Sequence, residues 1–335
     1  MIENQQPPKL ICLTPVKNEA WCLDVFLQCT SLWADYIIIA DQGSTDGSRE
    51  IALKYPKVIL LENDGNGLDE PYRQKILFEE ARKIKGNRII FALDADELFT
   101  GNFINTSDWE TITTFKAGNV FVFHWATVET DQIHYWEPQK WFQWAFHDDG
   151  TQPIQSGYIH VARVPWPENV PATEICIKDF QVLHLVLVNW QRMLSKERFY
   201  AFVIRVNEPK KSVISLNRQY AYFDNSAEKK LPIPNYFLDF YKQNGIDVFG
   251  SLVLNESFFW FDEQILNYFD QYGVEKFKYL DMWDASWVKK MQEHRPFKVP
   301  KTILSQLLFM YLRATHRYRS RLIIRAFDKI LKQII

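Results

Sequence analysis

Short, nearly uninterrupted hydrophobic runs alternate with helical periodicities over the first hundred residues of the chain. Four of these runs predict buried strands, at 9–14 (KLICLT), 36–40 (YIIIA), 57–61 (KVILL) and 88–93 (RIIFAL). Between them the spacing of apolar positions predicts helices, at 18–32, 46–55 and 70–85. Strands that are apolar along their whole length belong in a parallel sheet covered by helices on both faces. The pattern therefore predicts an α/β fold.

The pattern changes after residue 100. Apolar and aromatic runs separated by turn residues predict several strands between 118 and 187, which we expect to extend the first sheet. Helical spacing returns at 189–207, and residues 208–335 are predicted to form mainly helices and loops. We therefore expect a sheet domain over 1–207 and a mainly helical C-terminal region over 208–335.

Composition excludes several classes of protein. The 335 residues are 47% hydrophobic and 24% charged with a net charge of −2, which rules out a disordered chain, a fibre and a nucleic-acid binder along its whole length. The four cysteines form no CxxC pair, so we expect reduced thiols rather than a disulfide framework or a zinc site. Neither a signal peptide nor a run of about 18 apolar residues is apparent, and no membrane span is expected.

Charge is unevenly distributed along the chain. Residues 295–335 contain ten Lys and Arg but a single acid, giving +9, so the rest of the chain carries −11. Basic and apolar positions interleave over 313–332, which predicts a helix that can lie on an anionic membrane surface. Docking on the acidic body or an oligomer contact are the alternatives. No recognition motif supports nucleic-acid binding.

Two acidic segments follow predicted strands. In DQGSTDGS, Asp41 could accept a hydrogen bond from a nucleobase or a ribose, although the segment could equally be a turn capped by Asp46. In DAD, Asp94 and Asp96 project to the same side if the backbone stays extended. They would then form a hard, oxygen-rich site for Mg²⁺ or Mn²⁺ that a diphosphate completes, whereas a solvated acidic turn is the alternative.

The order of three segments carries a resemblance to a known family. KLICLTPVKNE, YIIIADQGSTDGS and RIIFALDADELF together resemble the family 2 glycosyltransferases, which have the GT-A fold. The resemblance implies a mixed, mainly parallel sheet with a nucleotide half at 9–100 and an acceptor half at 101–207. It also implies a nucleotide-diphospho-sugar donor and Mn²⁺ or Mg²⁺.

The resemblance further implies roles for individual residues. The residues implied to line the nucleotide site are Thr14, Pro15, Val16, Asp41 and Arg73. Asp94 would lie near the ribose and the metal, and Asp96 would ligate the metal directly. Many members carry a second Asp at the position of Gln42, so the preference for a base stays open.

A subgroup of the family has a strand that ends in histidine, followed by a helix with basic residues. The matching residues are His184, as a third metal ligand or diphosphate donor, and Lys196 and Arg198, as phosphate contacts. A satisfied core histidine and a solvated helix face are the alternatives. Transfer also needs a base near the acceptor hydroxyl. The candidates are His160, Asp148, Asp149 and Glu97, and the sequence does not choose among them.

Nine aromatic residues lie between 121 and 146. They can pack in the core or border a sugar-binding cleft, and we expect Trp136 or Trp141 at an acceptor cleft. The resemblance as a whole implies an inverting, hexosyltransferase-like enzyme with a glycan or glycolipid acceptor. It would serve cell-surface polysaccharide or lipopolysaccharide assembly in the cytoplasm, as a peripheral protein on the inner face of the plasma membrane. The alternatives are a glycan- or nucleotide-binding protein on an inactive transferase fold and a haloacid-dehalogenase-type phosphatase.

Overall fold

The computed structural model describes residues 7–65, 70–151, 162–166, 171–222 and 228–334. The chain divides into two compact units. The first comprises Met1–Val188 and Lys229–Leu254, and the second comprises Asn189–Glu228 and Asn255–Ile335. This division differs from the expected boundary at residue 207, because the helix that begins at Trp190 groups with the second unit.

Within the residues that the structure describes, the strands all lie in the first unit. In chain order they are β1 Lys9–Val16, β2 Tyr36–Asp41, β3 Val58–Glu62, β4 Arg88–Ala92, β5 Glu97–Phe99, β6 Asn119–Phe123, β7 Trp125–Val128, β8 His134–Trp136, β9 Phe142–Asp148, β10 Thr173–Cys176, β11 Val182–His184 and β12 Leu231–Pro232. The first four correspond to the four strands that the hydrophobic runs predict.

The helices are distributed over both units. In chain order they are α1 Ala20–Ser31, α2 Ser48–Ala52, α3 Glu70–Ala81, α4 Ser107–Thr113, α5 Trp190–Asn207, α6 Val213–Leu216, α7 Asp239–Gln243, α8 Trp260–Tyr272, α9 Ala285–His294, α10 Ile303–Thr315 and α11 Leu322–Ile334. Helices α1–α4 and α7 belong to the first unit.

The larger sheet has seven strands in the order β10-β6-β9-β4-β1-β2-β3. Strand β1 pairs in parallel with β2 and β4, and β2 pairs in parallel with β3, whereas β9 is antiparallel to both β4 and β6. The prediction of a mainly parallel sheet flanked by helices is therefore confirmed. The later strands extend this sheet only in part, because five others form a second sheet in the order β12-β8-β7-β11-β5.

Helices cover both faces of the larger sheet. Alternate residues of β1 belong to different hydrophobic clusters, with Cys12 on one face and Ile11 on the other. Phe26 of α1 packs in the first cluster, and Phe78 of α3 packs in the second. This arrangement explains why the predicted strands are apolar along their length, since neither face meets water.

The second unit has a core of its own. The Phe202 ring of α5 lies 5.5 Å from the Phe269 ring of α8, and the Ser195 hydroxyl donates a hydrogen bond to the buried Asp262 carboxylate. These contacts explain why α5 groups with α8. Among the helices in the described part of the chain, none combines the length and the apolar character needed to cross a membrane.

The four cysteines are all free thiols. Cys12, Cys22 and Cys29 are buried and Cys176 is exposed. Burial raises the pKa of the Cys12 thiol to about 12, so this thiol is inert at neutral pH.

Candidate functional site

The acidic side chains of the loop after β2 form ion pairs and hydrogen bonds within the protein. The buried Asp41 carboxylate accepts a hydrogen bond from Arg49 Nη1 at 2.8 Å and one from the Ser44 N–H at 3.2 Å. Arg49 thus neutralises Asp41 where β2 ends. The Asp41 oxygens are engaged by the protein itself in this conformation.

The same loop fastens the start of α1. The Ala20 N–H donates to Asp46 Oδ2 at 2.9 Å, and the Glu19 N–H donates to Ser48 Oγ at 2.9 Å. The other oxygen of Asp46 accepts the Ser48 N–H at 3.0 Å, where α2 begins. Asp46 therefore accepts backbone N–H groups at the starts of both α1 and α2. The alternative of a turn capped by Asp46 thus describes this loop, with a second helix added.

The acidic segment after β4 forms a tight turn. The Glu97 N–H donates to the Asp94 carbonyl oxygen at 3.0 Å, and the Asp94 N–H donates to Glu97 Oε2 at 2.9 Å. The condition of an extended backbone over Asp94 and Asp96 is therefore not met, and the segment forms the acidic turn that was the alternative. As a result the two aspartates differ in exposure, with Asp94 partly exposed and Asp96 buried.

Arg163 bridges two acids of this turn. Its Nη2 lies 2.5 Å from Asp94 Oδ2, and its Nη1 lies 2.5 Å from Glu97 Oε2. The guanidinium also lies 5.9 Å from the centre of the Trp144 ring. Sequence reasoning missed Arg163, because it follows the turn by more than sixty residues and lies in no motif.

His184 lies beside the third acid of the turn. Strand β11 is antiparallel to β5 with His184 opposite Glu97, and the Leu185 N–H donates to the Asp96 carbonyl oxygen at 2.8 Å. This pairing brings His184 Nε2 to 3.8 Å from Asp96 Oδ2. The imidazole stacks on the Trp125 ring at 4.4 Å between centroids. Two candidates from distant parts of the sequence thus meet at one place.

Glu97 is fully buried at the centre of the turn. Its carboxylate accepts hydrogen bonds from the Trp125 indole at 3.2 Å and from Arg163. Burial raises the pKa of Glu97 to about 7; the charge of Arg163 opposes the shift, and Asp94 and Asp96 add to it. Glu97 therefore differs from the solvated acid that an exposed turn would carry.

The donor set fits a cation that brings some ligands of its own. Within the described residues, no group of three or more His, Cys, Asp or Glu side chains is arranged to enclose a metal ion. Asp96 and His184 offer one carboxylate and one imidazole close together. Mg²⁺ and related ions often bind through one or two protein carboxylates and complete their shell with substrate phosphates and water. The residues therefore fit a cation bound together with a diphosphate.

A small cavity joins several of the candidate residues. It has a volume of about 30 Å³, and residues on its wall include Pro15, Arg73, Gln74, Phe78, Asp94 and Arg163. Pro15, Arg73 and Asp94 are candidate nucleotide contacts that the fold brings together. Thr14 and Val16 do not line this cavity and are buried within β1.

Asp148 lies at the opposite end of β4 from Asp94. It pairs in register with Arg88, the first residue of that strand, and is held by Arg82 at 3.1 Å and Arg88 at 2.8 Å. Asp148 therefore lies away from the acidic turn, and its role as the base stays a prediction. Asp149 directly follows it, and His160 lies outside the described residues.

The remaining candidates have other surroundings. Lys196 and Arg198 lie in α5 of the second unit, where Arg198 pairs with Asp284 and its guanidinium lies 4.9 Å from the Trp287 ring. Trp125 and Trp144 lie at the acidic turn, and the expectation of Trp136 or Trp141 at an acceptor cleft stays a prediction. Trp141 packs on His124 at 3.7 Å between ring centroids.

Comparison with known proteins gives weak similarities. No protein-family model matches the chain, and no curated protein matches it. The chain is similar to a glucosyl-3-phosphoglycerate synthase from Mycobacterium tuberculosis, solved in complex with Mn²⁺, uridine diphosphate and phosphoglyceric acid. The identity is 15% and the TM-score 0.24, over 38% of this chain and 46% of that chain.

A second solved structure is GalNAc-T7, determined with UDP, GalNAc and Mn²⁺. The identity is 13% and the TM-score 0.34, over 80% of this chain and 58% of that chain. The chain thus spans about half the length of the solved structures it matches.

Proposed function

We propose that the chain is a metal-dependent glycosyltransferase that moves a sugar from a nucleotide-diphospho-sugar to an acceptor hydroxyl. The observation that carries the proposal is the concentration of Asp94, Asp96 and Glu97 in one turn beside His184. This turn follows a central parallel strand, and open α/β sheets bind ligands beyond the carboxyl ends of their strands. A surplus of negative charge at that position suits a cation, and the cation in turn suits a diphosphate.

Asp96 and His184 would hold the cation, with Asp94 close to it. When bound, the cation neutralises negative charge on the diphosphate leaving group. His184 is kept in position by its stacking on Trp125 and by the pairing of β11 with β5. The protein's contribution is therefore a pair of ligands on two adjoining strand ends.

Two arginines would act on the donor phosphates. Arg73 and Arg163 both line the cavity next to Asp94, and guanidinium groups form strong paired hydrogen bonds with phosphate oxygens. Arg163 is held by Asp94 and Glu97 in this conformation, so a donor diphosphate offers it an alternative anionic partner. The cavity of about 30 Å³ would have to widen to admit a nucleotide.

The finer assignment relies on the resemblance of three sequence segments to family 2 glycosyltransferases. We extend the proposal to an inverting, hexosyltransferase-like reaction on a glycan or glycolipid, in cell-surface polysaccharide or lipopolysaccharide assembly on the cytoplasmic side of the plasma membrane. Glu97 is the base candidate at the acidic turn itself, whereas Asp148 lies at the other end of β4.

One observation favours a second candidate, a nucleotide- or glycan-binding protein without turnover. The Glu97 carboxylate is occupied by hydrogen bonds from Asp94, Trp125 and Arg163, so it is not available as a base in this conformation. A binding protein needs no base. Turnover therefore separates the two candidates.

Isothermal titration of the full chain with UDP, GDP, dTDP and CMP, with and without Mn²⁺, tests the proposal. We expect one nucleotide to bind at least tenfold more tightly with Mn²⁺ present, and we expect Asp96→Asn to remove that difference. Asp149→Asn is the matched control, because it neutralises an aspartate near the other end of β4. Hydrolysis of the corresponding sugar nucleotides then distinguishes an enzyme from a binding protein.

Three results would overturn the proposal. Nucleotide affinity that does not respond to Mn²⁺ would remove the metal site. Metal-dependent affinity without donor hydrolysis or sugar transfer would favour the binding protein. Hydrolysis of simple phosphate esters in place of sugar nucleotides would indicate a phosphatase.

A further inference from the structure

Helix α11 is attached to the second unit by one narrow stripe. Ile324, Asp328 and Leu331 recur at i, i+4 and i+7 and are partly buried. Asp328 accepts a hydrogen bond from the Tyr311 hydroxyl at 2.9 Å and pairs with Arg218 at 3.0 Å. The rotation of the helix about its axis is therefore fixed by these contacts.

A second stripe of α11 is apolar and exposed. Ile323, Phe327 and Ile330 have the same spacing, and 53–64% of each residue's surface is accessible. Large apolar side chains exposed at regular helical spacing are typical of an interaction surface. Each of these residues stands one position before a residue of the attached stripe, so the apolar stripe lies about 100° around the helix from it.

A third stripe of α11 is basic. Arg325, Lys329 and Lys332 follow the three apolar residues at a constant offset of two positions. Two positions correspond to a rotation of about 200° around a helix, so the basic stripe lies on the side opposite the apolar one. Helices that lie in a membrane interface combine an apolar face with a Lys- and Arg-rich polar face.

Helix α10 repeats the exposed apolar stripe. Ile303, Leu307 and Met310 also recur at i, i+4 and i+7, with 57–80% of their surface accessible. They lie on the side of α10 opposite Leu308 and Leu312, which are buried in the core of the second unit. Two consecutive helices thus present exposed apolar stripes. Such a repeated pattern indicates an interaction surface, whereas a single exposed apolar residue does not.

We propose that α10 and α11 together bind the surface of an anionic lipid membrane. Charge selects this occupant, because residues 295–335 carry a net charge of +9. A second copy of the chain would place this charge against an identical one, whereas anionic headgroups attract it. The proposal concerns the second unit alone and does not depend on the sugar-transfer function.

Vesicle co-sedimentation of the full chain at low salt tests this surface. We expect the partition coefficient to be at least tenfold higher on phosphatidylcholine vesicles with 30% phosphatidylglycerol than on pure phosphatidylcholine, and to fall as salt is raised. Phe327→Ser combined with Ile330→Ser should reduce binding by at least tenfold. Both side chains are exposed, so the melting temperature should stay the same.

Charge variants separate the electrostatic contribution from packing. Arg325→Gln combined with Lys329→Gln should weaken binding by about fivefold per charge removed at low salt. Lys242→Gln combined with Lys289→Gln is the matched control, since these exposed lysines lie outside residues 295–335. The control should bind vesicles like the unchanged chain.

Several results would overturn the membrane proposal. Equal binding to neutral and anionic vesicles, or equal losses in the charge variant and its control, would remove the role of the basic stripe. Dimers that dissociate in Phe327→Ser, found by analytical ultracentrifugation without vesicles, would identify a second copy as the occupant. Nucleotide titration of the same variants should be unaffected, so failure of this proposal and failure of the proposed function are distinguishable.

Discussion

The two ends of strand β4 carry ion-pair clusters with opposite ratios of acidic to basic side chains. At its start, the single carboxylate of Asp148 is held by Arg82 and Arg88. At its end, the acidic turn that begins at Asp94 contains three carboxylates, and Arg163 bridges two of them. The strand between the clusters is five residues long, which corresponds to about 16 Å.

On the proposed function, this difference in charge balance separates a structural cluster from a cation-binding one. Two guanidinium groups on one buried carboxylate satisfy its hydrogen-bonding capacity and leave no need for a further cation. Three carboxylates around one guanidinium retain a surplus negative charge, even with His184 nearby. Both clusters are acidic in the sequence, so only their basic partners distinguish them.

The largest effect expected at the structural end is on stability. Asp148→Asn leaves Arg82 and Arg88 beside a neutral side chain, and breaking a buried ion pair in this way should lower the free energy of unfolding by about 3 kcal/mol. Urea denaturation measures this loss. Asp149→Asn should cost less than about 0.5 kcal/mol, because the amide oxygen can still accept the hydrogen bonds that Asp149 Oδ1 accepts from Thr151. Equal losses in the two variants would contradict the structural role of Asp148.

The largest effect expected at the binding end is on turnover. Asp96→Asn keeps the shape of the side chain and removes a metal-ligating charge, so donor turnover with Mn²⁺ should fall by more than about 100-fold, since residues that merely support metal ligands cost 10–100-fold. Its unfolding midpoint should stay close to that of the unchanged chain. A lower unfolding midpoint in Asp96→Asn, with unchanged turnover per folded molecule, would show that Asp96 has a structural role instead.

A smaller effect is expected when one arginine is removed from either end of β4. Arg163→Met should raise the affinity for Mn²⁺ measured without nucleotide by about tenfold, because a guanidinium would then no longer offset the charge of Asp94 and Glu97 beside the cation held by Asp96 and His184. Arg82→Met removes the same charge from the structural end and should leave Mn²⁺ affinity unchanged. Weaker Mn²⁺ binding in Arg163→Met would show that the arginine supports the cation site and does not compete for it.

The smallest effect is a pH dependence at the structural end. His147 is buried beside Asp148, and burial lowers the pKa of its imidazole below the usual 6.5. Its Nδ1 lies 2.8 Å from both the nitrogen and the carbonyl oxygen of Lys116, and its Nε2 lies 2.7 Å from the Ile112 carbonyl oxygen. The two carbonyl oxygens oppose the lowering of the pKa, and burial outweighs them.

The unfolded chain therefore takes up a proton below about pH 6.5 that the folded chain resists, and stability should fall as the pH is lowered through that range. His147→Gln should make this decline shallower in urea denaturation between pH 7 and 5. His294→Gln is the control, because the His294 side chain is exposed. An unchanged decline in His147→Gln would exclude His147 as its source.

Hydrophobic patterning was sufficient to predict the first four strands. Because both sheet faces are buried, each strand is apolar along its length, and this pattern is visible without knowing which strands pair. The same pattern placed Asp94 and Asp96 at a strand end. It could not predict the turn between them, because that turn depends on a hydrogen bond from the Asp94 N–H to the Glu97 side chain. The contribution of Arg163 depends on tertiary contact across more than sixty residues, which local propensity does not encode.

The bridge that Arg163 makes between Asp94 and Glu97 would make the binding of the cation and of the nucleotide depend on each other. A cation alone must compete with the guanidinium for Asp94, and a nucleotide alone meets acidic side chains. On the proposed function, each would therefore bind poorly by itself, whereas a donor phosphate that draws the guanidinium away would favour the cation, and the cation would favour the phosphate. Such linkage is reciprocal. The site would then respond to both ligands together more strongly than to either one alone.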